Sequence, residues 1–404
     1  MSVTRDVVVV DLTSGVSRVD AVEIEPACGL GGKNLGAQLL ERYLDPAADP
    51  LAAGNVIVVT ASPLAALGVP GSSRFAAFTR SPLTGIWLEC YCGGSFGKVL
   101  TETRWDAVIV QGASKAPVRL HLTVDGAEIL PATELWGREP ADVEAELLAA
   151  LGRRSAVLAI GVAGEKLVRV ASVMHERAHA LGRGGMGAVF GSKKLKAFTA
   201  TSPGPVRAEV GERFAQTRRD LARAGAESTL VQGYRRFGTS AVASLTNETG
   251  SFPTDFFAGG TAPHRATLEA DHWQEWADYS SEGCPPCPIR CRHVLTLKDG
   301  PDAGRRVHAP EYETLYSFGG SAMVEHARDV AFLNELCNRY GLDSISAGNL
   351  VAVAIKAHQS GRLPVGPEPG DTAAIGELLR QIAYRSTPTG DTLAEGMDRA
   401  LGAW

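Results

Sequence analysis

The spacing of the apolar residues changes character once along this chain, and the change falls at Ser202-Pro203-Gly204-Pro205. Two prolines around a glycine neither extend a strand nor carry a helix forward, because proline fixes φ and donates no amide. Ahead of this hinge, residues 5–11, 55–61, 107–111, 118–124, 156–160 and 167–173 are short β-type runs parted by glycine turns. Helical spacing interrupts them at 35–43 and 140–151. Beyond the hinge, residues 208–226, 326–340, 346–359 and 372–386 repeat apolar side chains three and four apart, which builds one face of a helix. This predicts an α+β domain over 1–203, made of short strands and Gly-rich turns, followed by a multihelical domain over 204–404. The strand-and-turn pattern at 7–11 recurs near 118–124, a hint of internal duplication. Residues 246–308 read as a loop-rich stretch between helices.

Charge and hydropathy narrow the partners. The chain has 40 Lys and Arg against 45 Asp and Glu, a formal charge of −5. That balance offers no broad basic face for nucleic acid or for an anionic membrane. No run approaches the roughly 18 apolar residues of a membrane-spanning helix. The N-terminus lacks a basic segment followed by a long apolar one, and the expected location is cytoplasmic.

The cysteines are unevenly spread. Three of the seven stand in Cys284-Pro285-Pro286-Cys287-Pro288-Ile289-Arg290-Cys291, a C-x2-C-x3-C pattern held out of helix by prolines. Close spacing lets thiolates from one loop converge on one inorganic centre. Zinc with His293 as fourth ligand fits the pattern. A 4Fe–4S cluster fits it too, with a fourth ligand from elsewhere. Cys337 lies in a helical run with Phe332, Leu333, Leu336 and Tyr340, and is expected in the core.

Two Gly-rich segments, Gly93-Gly94-Ser95-Phe96-Gly97 and Gly182-Arg183-Gly184-Gly185-Met186-Gly187, place bare amides near Arg74 and Arg183. Such groups suit an anionic ligand or a heterocycle, and the two arginines are expected to face one cleft. Tight turns explain the glycines equally well. His175-Glu176-Arg177-Ala178-His179 has the H-E-x-x-H pattern, yet a strand-like segment before it and glycines after it leave little room for a zinc-binding helix.

In series these motifs resemble the tungsten-dependent aldehyde:ferredoxin oxidoreductases, almost from end to end of the chain. The resemblance runs through Gly31-Gly32-Lys33, Arg74-Phe75, Ser81-Pro82-Leu83-Thr84-Gly85, the two Gly-rich segments, Gly191-Ser192-Lys193, the cysteine loop and Glu311-Tyr312-Glu313-Thr314. It closes on Asn338-Arg339-Tyr340-Gly341-Leu342-Asp343. It implies a first domain forming the base for a tungsten bis-pterin, with molybdenum as the possible substitute, under helical domains. Arg74, Gly93, Ala180, Gly182 and Arg183 match pterin-contacting positions. Asn338, Leu342 and Asp343 match a pterin loop, Cys284, Cys287 and Cys291 match 4Fe–4S ligands, and Glu313 matches an acidic residue near the metal. The implied reaction oxidises an aldehyde to a carboxylic acid and passes electrons to ferredoxin or a similar acceptor.

The chain departs from that pattern in four places. Tyr91 stands where Asn is expected, His179 where Arg is expected, and Asn338 where the pterin loop begins with Asp. The C-terminal domain of the family is also expected to be absent, so that a second polypeptide supplies it and an apolar face is left open. Two other readings follow from the same residues: a non-catalytic relative acting as a cofactor-binding or interaction module, and a zinc-stabilised structural protein.

Overall fold

Val7, Val8, Val9 and Val10 are all fully buried, as expected of a strand covered on both faces. They form the centre of β1 (Val3–Asp11), which pairs with β2 (Val16–Ile24). The first sheet adds β3 (Ile57–Ala61), β4 (Phe75–Arg80), β5 (Trp87–Cys92) and β6 (Ala107–Gln111), in the order β2-β1-β6-β3-β4-β5. β1 and β6 run parallel and every other pair is antiparallel. The computed structural model describes residues 2–26, 31–206 and 210–404; Cys28 and residues 208 and 209 of the expected 208–226 helix lie outside them.

A second sheet comprises β7 (Val118–Thr123), β8 (Gly126–Pro131), β9 (Ser155–Ile160), β10 (Val173–His175), β11 (His179–Leu181) and β12 (Leu195–Thr201). Its order is β8-β7-β12-β9-β10-β11, and its one parallel pair is β7 with β12. Adding six to each strand of the first sheet reproduces the second. The helices repeat too. Gly32–Tyr43 after β2 corresponds to Pro140–Leu151 after β8, and Phe96–Glu102 after β5 to Met186–Ser192 after β11.

The two sheets share one core, with Val8, Val10, Val59 and Val108 from the first and Leu120, Leu158 and Phe198 from the second. Helix Gly32–Tyr43 covers the outer face of the first sheet through Leu35 and Leu39. Helix Pro140–Leu151 covers that of the second through Val143 and Leu147. The layers are therefore helix, sheet, sheet, helix.

The expected strand at 167–173 is a turn instead. Leu167 is left-handed at φ 58°, and Val168 N–H closes back on Ala163 O, so the segment wraps around the helix Val162–Glu165. Only Val173 belongs to a strand, and Ala171 makes a single bridge to Leu342. That helix packs backbone to backbone on Met186–Ser192. A Cβ on Gly191 would lie 1.9 Å from Gly164 O. No side chain can yield there, so Gly191→Ala is expected to cost at least the 1–3 kcal/mol (roughly) of ordinary overpacking. The drop in melting temperature relative to Gly211→Ala, which meets nothing within 4 Å, measures it.

The chain forms two compact units. One is Met1–Ala222 with Cys284–Cys287 and Tyr340–Leu342, and the other is Arg223–Gly283 with Pro288–Arg339 and Asp343–Trp404. The second is mainly helical. Its longest helices, Ala327–Tyr340, Ser344–Gln359 and Thr372–Tyr384, lie where the three- and four-residue spacing places them. Asp343 and Asp371 cap the last two by accepting from Ser346 N–H and Ala374 N–H. Cys337 is fully buried in its helix, and burial pushes its thiol far up, as a core cysteine requires.

The stretch 246–308 holds more order than a loop. β13 (Ala277–Glu282), β14 (Arg292–Leu297) and β15 (Arg306–His308) form an antiparallel sheet. His293, Val294, Leu295 and Leu297 are all buried along β14, which masks the two-residue alternation that marks a strand.

Candidate functional site

The duplicated sheets bring two Gly-rich turns to equivalent places. Gly94 (φ 83°) stands two residues before the helix that begins at Phe96, and Gly184 (φ 87°) two before the helix that begins at Met186. In both, the second helical residue is a glycine pressed on a serine carbonyl. A Cβ on Gly97 would meet Ser73 O at 2.5 Å, and one on Gly187 would meet Ser172 O at 2.4 Å. These glycines are needed for close approach as well as for turning.

Each turn is clasped by the hairpin of the opposite sheet. The β4–β5 side supplies Ser81, whose Oγ donates to Gly184 O at 2.8 Å, and Leu88, which packs on Gly184. The β10–β11 side supplies the H-E-x-x-H residues. His175 Nε2 accepts from Ser95 N–H at 3.1 Å and from Phe96 N–H at 3.2 Å, and Glu176 Oε1 accepts from Ser95 N–H at 3.0 Å. The other nitrogen of His175, Nδ1, donates to Val157 O at 2.8 Å. Both ring nitrogens are thus engaged by backbone, and the motif is a hairpin rather than a metalloprotease helix.

Glu144 holds that hairpin. Its two carboxylate oxygens accept from Glu176 N–H at 2.9 Å and Arg177 N–H at 3.2 Å, residues both in the left-handed region. Burial raises its pKa to about 7, against the pull of the Glu176 amide.

Cys284 reaches the Gly93-Gly94 turn. Its Sγ accepts from Gly94 N–H at 3.0 Å and lies 3.9 Å from His179 Nε2, and a Cβ on Gly93 would come within 2.8 Å of it. Only glycine at 93 leaves room for this sulfur. Cys287 N–H bonds Cys284 O at 2.5 Å, folding the loop tightly. Cys92, at the end of β5, is buried beside them, and burial first and Cys284 second push its thiol well up. Glu144 and Cys92 were not marked as site residues by their sequence context. The H-E-x-x-H pattern did single out the right hairpin, for a different chemistry.

The other expected residues are more dispersed. Arg74 is exposed at the head of β4 and makes no hydrogen bond or ion pair among the described residues. It lines a pocket of about 400 Å³ with Gly32, Gly71, Ser72, Ala76 and Tyr91. Arg183 is exposed in the turn after β11, accepts from Cys90 Sγ through its carbonyl, and does not line that pocket. Ala180 pairs with Met174 inside the hairpin, and Gly182 follows it directly. Leu342 is buried, Asp343 is a buried helix cap, and Asn338 is half-buried on its helix. Glu313 is exposed in the short helix Tyr312–Thr314.

Cys284, Cys287 and Cys291 are all partly buried. Among the described residues no three His, Cys, Asp or Glu side chains are gathered as metal ligands. Cys284 and Cys287 fall in the first unit and Cys291 in the second, so the loop divides between two bodies. The donor chemistry still suits an iron–sulfur cluster: three thiols, one already receiving a backbone N–H of the kind that tunes cluster sulfurs. His293 does not suit zinc. Its Nδ1 faces Cys291 O at 3.1 Å and its Nε2 faces Arg235 O at 2.9 Å, so both ring nitrogens are turned to backbone carbonyls. The Arg74 pocket suits a pterin, offering small walls and a guanidinium without a protein partner.

Sequence comparison agrees with this architecture. The profile of the aldehyde ferredoxin oxidoreductase N-terminal domain matches residues 7–202, and that of the family's domains 2 and 3 matches residues 216–404. The chain belongs to the aldehyde ferredoxin oxidoreductase family. It is 32% identical to the tungsten-containing aldehyde ferredoxin oxidoreductase of Thermococcus kodakarensis over 96% of its own length and 65% of that protein's. It is 29% identical to a protein of Pyrococcus furiosus named as the WOR-like subunit of an aliphatic sulfonate oxidoreductase, over 92% of this chain and 62% of that one. The active-site complex of benzoyl coenzyme A reductase with 1,5-dienoyl-CoA has a like fold, with a TM-score of 0.79 at 23% identity, covering 99% of this chain and 64% of that chain.

The chain thus spans about 65% of the length of its curated relatives. The expectation that the C-terminal domain is absent needs correcting, because the profile of domains 2 and 3 extends over 216–404. Short helices such as Thr229–Phe237, Val242–Glu248, Pro388–Ala394 and Met397–Ala403 carry too few turns for apolar spacing to reveal them. Among the described residues no helix is long and apolar enough to cross a membrane.

Proposed function

We propose that this chain is an oxidoreductase that oxidises an aldehyde to a carboxylic acid with a tungsten or molybdenum bis-pterin and a 4Fe–4S cluster, passing electrons to ferredoxin or a similar acceptor. The observation that carries the reading is the duplicated site: two equivalent glycine turns on paired sheets, a framework with a place for each half of a two-pterin cofactor. The match to tungsten-containing relatives over 96% of the chain supports the choice of cofactor.

When bound, the metal would supply the site at which an aldehyde and one water become a carboxylate, releasing two electrons and three protons. This chain's residues would do the rest. Arg74 holds an anionic end of the pterin. Gly93 and Gly94 keep the backbone open to close approach, with Ala180, Gly182 and Arg183 at the opposite turn. Leu342 and Asp343, with Asn338 one turn of chain earlier, border the helical side of the pterin. Cys284, Cys287 and Cys291 would ligate the cluster, whose chemistry would be one-electron transfer. The exposed Glu313 carboxylate takes a proton from water or substrate at Oε. A relative named as a subunit supports a partner polypeptide for this chain as well.

Anaerobic purification followed by analysis for W, Mo, Fe and Zn tests the reading. The expected result is tungsten or molybdenum with about four iron per chain, and dye reduction that depends on an aldehyde. Cys284→Ser and Cys287→Ser are expected to lower iron strongly, seen by iron assay and by loss of the reduced cluster's EPR signal. Zinc in place of iron, or turnover with aliphatic sulfonates and no aldehyde, would overturn it.

A further inference from the structure

The cavity of about 400 Å³ beside Arg74 is bordered by two aromatic residues, Phe75 and Tyr91. Phe75 is 1% exposed, and its ring packs into the core on Phe96 at 4.9 Å. Tyr91 is 40% exposed. It alternates along β5 with Cys90 and Cys92, which belong to the core, so its ring stands on the opposite side of the strand. Its partner across the ladder is Ala76, too small to cover a phenol ring. Gly32 and Gly71 border the cavity as well, and a Cβ built on either meets nothing within 4 Å. Small neighbours thus leave the ring of Tyr91 open to a flat ligand. Its hydroxyl end stands by the Glu89 carboxylate, which Lys33 Nζ meets at 2.8 Å. Burial first and Glu89 second raise the pKa of the phenol, so the ring is neutral near pH 7 and does not repel a phosphate.

A ring and a guanidinium in one cavity recognise two parts of one ligand. A neutral aromatic face attracts a flat heterocycle, and a guanidinium pairs with phosphate through a fork of donors. A cavity of this volume lies in the ordinary small-molecule range of roughly 300–1,000 Å³ and takes one such group rather than a polymer. The Asn that the family pattern leads one to expect at 91 offers hydrogen bonds to a ring edge, but no face to stack on. Tyr91 therefore changes the recognition chemistry of this wall. We propose that Tyr91 is a stacking platform, seating a planar nitrogen heterocycle whose phosphate is held by Arg74. This role rests on the reading that the Arg74 pocket takes the pterin cofactor. Two sources share the chemistry: the pterin ring itself, and the base of a nucleotide joined to the pterin's phosphate.

The test uses the full-length chain purified from cells deprived of tungstate and molybdate. Neopterin monophosphate, neopterin, guanosine monophosphate, ribose 5-phosphate and inorganic phosphate are titrated by calorimetry, and pterin emission is followed in parallel. A phosphorylated heterocycle is expected to bind about tenfold or more tightly than ribose 5-phosphate, with the pterin emission quenched by stacking. Tyr91→Phe keeps the ring and is expected to keep both effects. Tyr91→Leu and Tyr91→Asn are expected to weaken binding by about tenfold and to abolish the quenching. Arg74→Gln is expected to spare the quenching and to remove the preference for neopterin monophosphate over neopterin. Tighter binding of neopterin monophosphate than of guanosine monophosphate assigns the platform to the pterin ring. The reverse order assigns it to a nucleotide base, and phosphodiesterase should then release that nucleotide from the cofactor of the holoprotein. Undiminished binding in Tyr91→Leu would overturn the proposal, as would ribose 5-phosphate or inorganic phosphate binding as tightly as the heterocycles. Tyr91-dependent binding in a chain whose holoprotein holds neither tungsten nor molybdenum fails the functional reading alone. A metal-loaded, aldehyde-oxidising protein whose heterocycle binding ignores Tyr91 fails the platform alone.

Discussion

Glu165→Ala is expected to destabilise the first domain by about 3–5 kcal/mol, because it leaves Lys196 charged and alone in the interior. The Lys196 side chain is 0% exposed and that of Glu165 4%, and they meet at 2.5 Å. Lys196 Nζ also donates to Arg138 O and Ile160 O, each at 2.8 Å, so all three of its protons are satisfied. Glu165 accepts in addition from Gly137 N–H at 2.9 Å. Burial lowers the Lys196 pKa and Glu165 opposes that shift. Removing the carboxylate therefore strips the counter-charge and orphans one amide, while two carbonyls remain aimed at an ammonium. Urea unfolding followed by tryptophan fluorescence measures the loss. The double variant Glu165→Leu, Lys196→Met is expected to recover much of it, since an apolar pair of similar volume needs no desolvation of charge. A single-variant loss below about 1 kcal/mol would mean that water screens the pair as it does a surface bridge.

How far the sequence foretold this architecture depends on the type of element. Val7–Val10 and the 107–111 run are buried on both faces, and continuous apolar runs of that length were read as strands without error. Helices of three or more turns, such as Pro140–Leu151, were found because three- and four-residue spacing has room to repeat. β10 and β11 have three residues each, too few to establish any period. The internal duplication showed only as a recurring strand and turn, because the repeat is one of strand order and not of residue type. In the site, Arg74 and the Gly-rich turns were legible from composition. The role of the glycines was not, since Gly97 and Gly187 are required by carbonyls far away in sequence, those of Ser73 and Ser172. Proximity of Cys284 to Gly94 spans 190 residues, and no local pattern encodes a contact of that range.

Glu144→Gln tests whether the buried carboxylate behind the β10–β11 hairpin is a titrating part of the fold. The groups facing it are His175 Nδ1 at 3.8 Å from Oε1, the Glu176 carboxylate and the Arg177 amide. Its folded pKa of about 7 stands above the ordinary 4.5, so the folded state holds this proton more tightly than the unfolded chain does. Between those two values the folded state carries the extra proton. Stability therefore falls as pH rises from about 4.5 to about 7, by up to roughly 3 kcal/mol, and levels off above that. Glutamine cannot ionise, so the variant should lack this component. It also presents an NH2 to one of the two left-handed amides, Glu176 or Arg177, at a cost of roughly 1–3 kcal/mol that is the same at every pH. The difference between wild type and variant, measured by urea unfolding from pH 4.5 to 8, cancels the histidines and other groups common to both. That difference is expected to favour wild type most at the acid end and to shrink steadily toward pH 7. Parallel curves would show that the two amide bonds hold Glu144 ionised throughout, and that the hairpin clasping the Gly94 turn is fixed by a permanent charge.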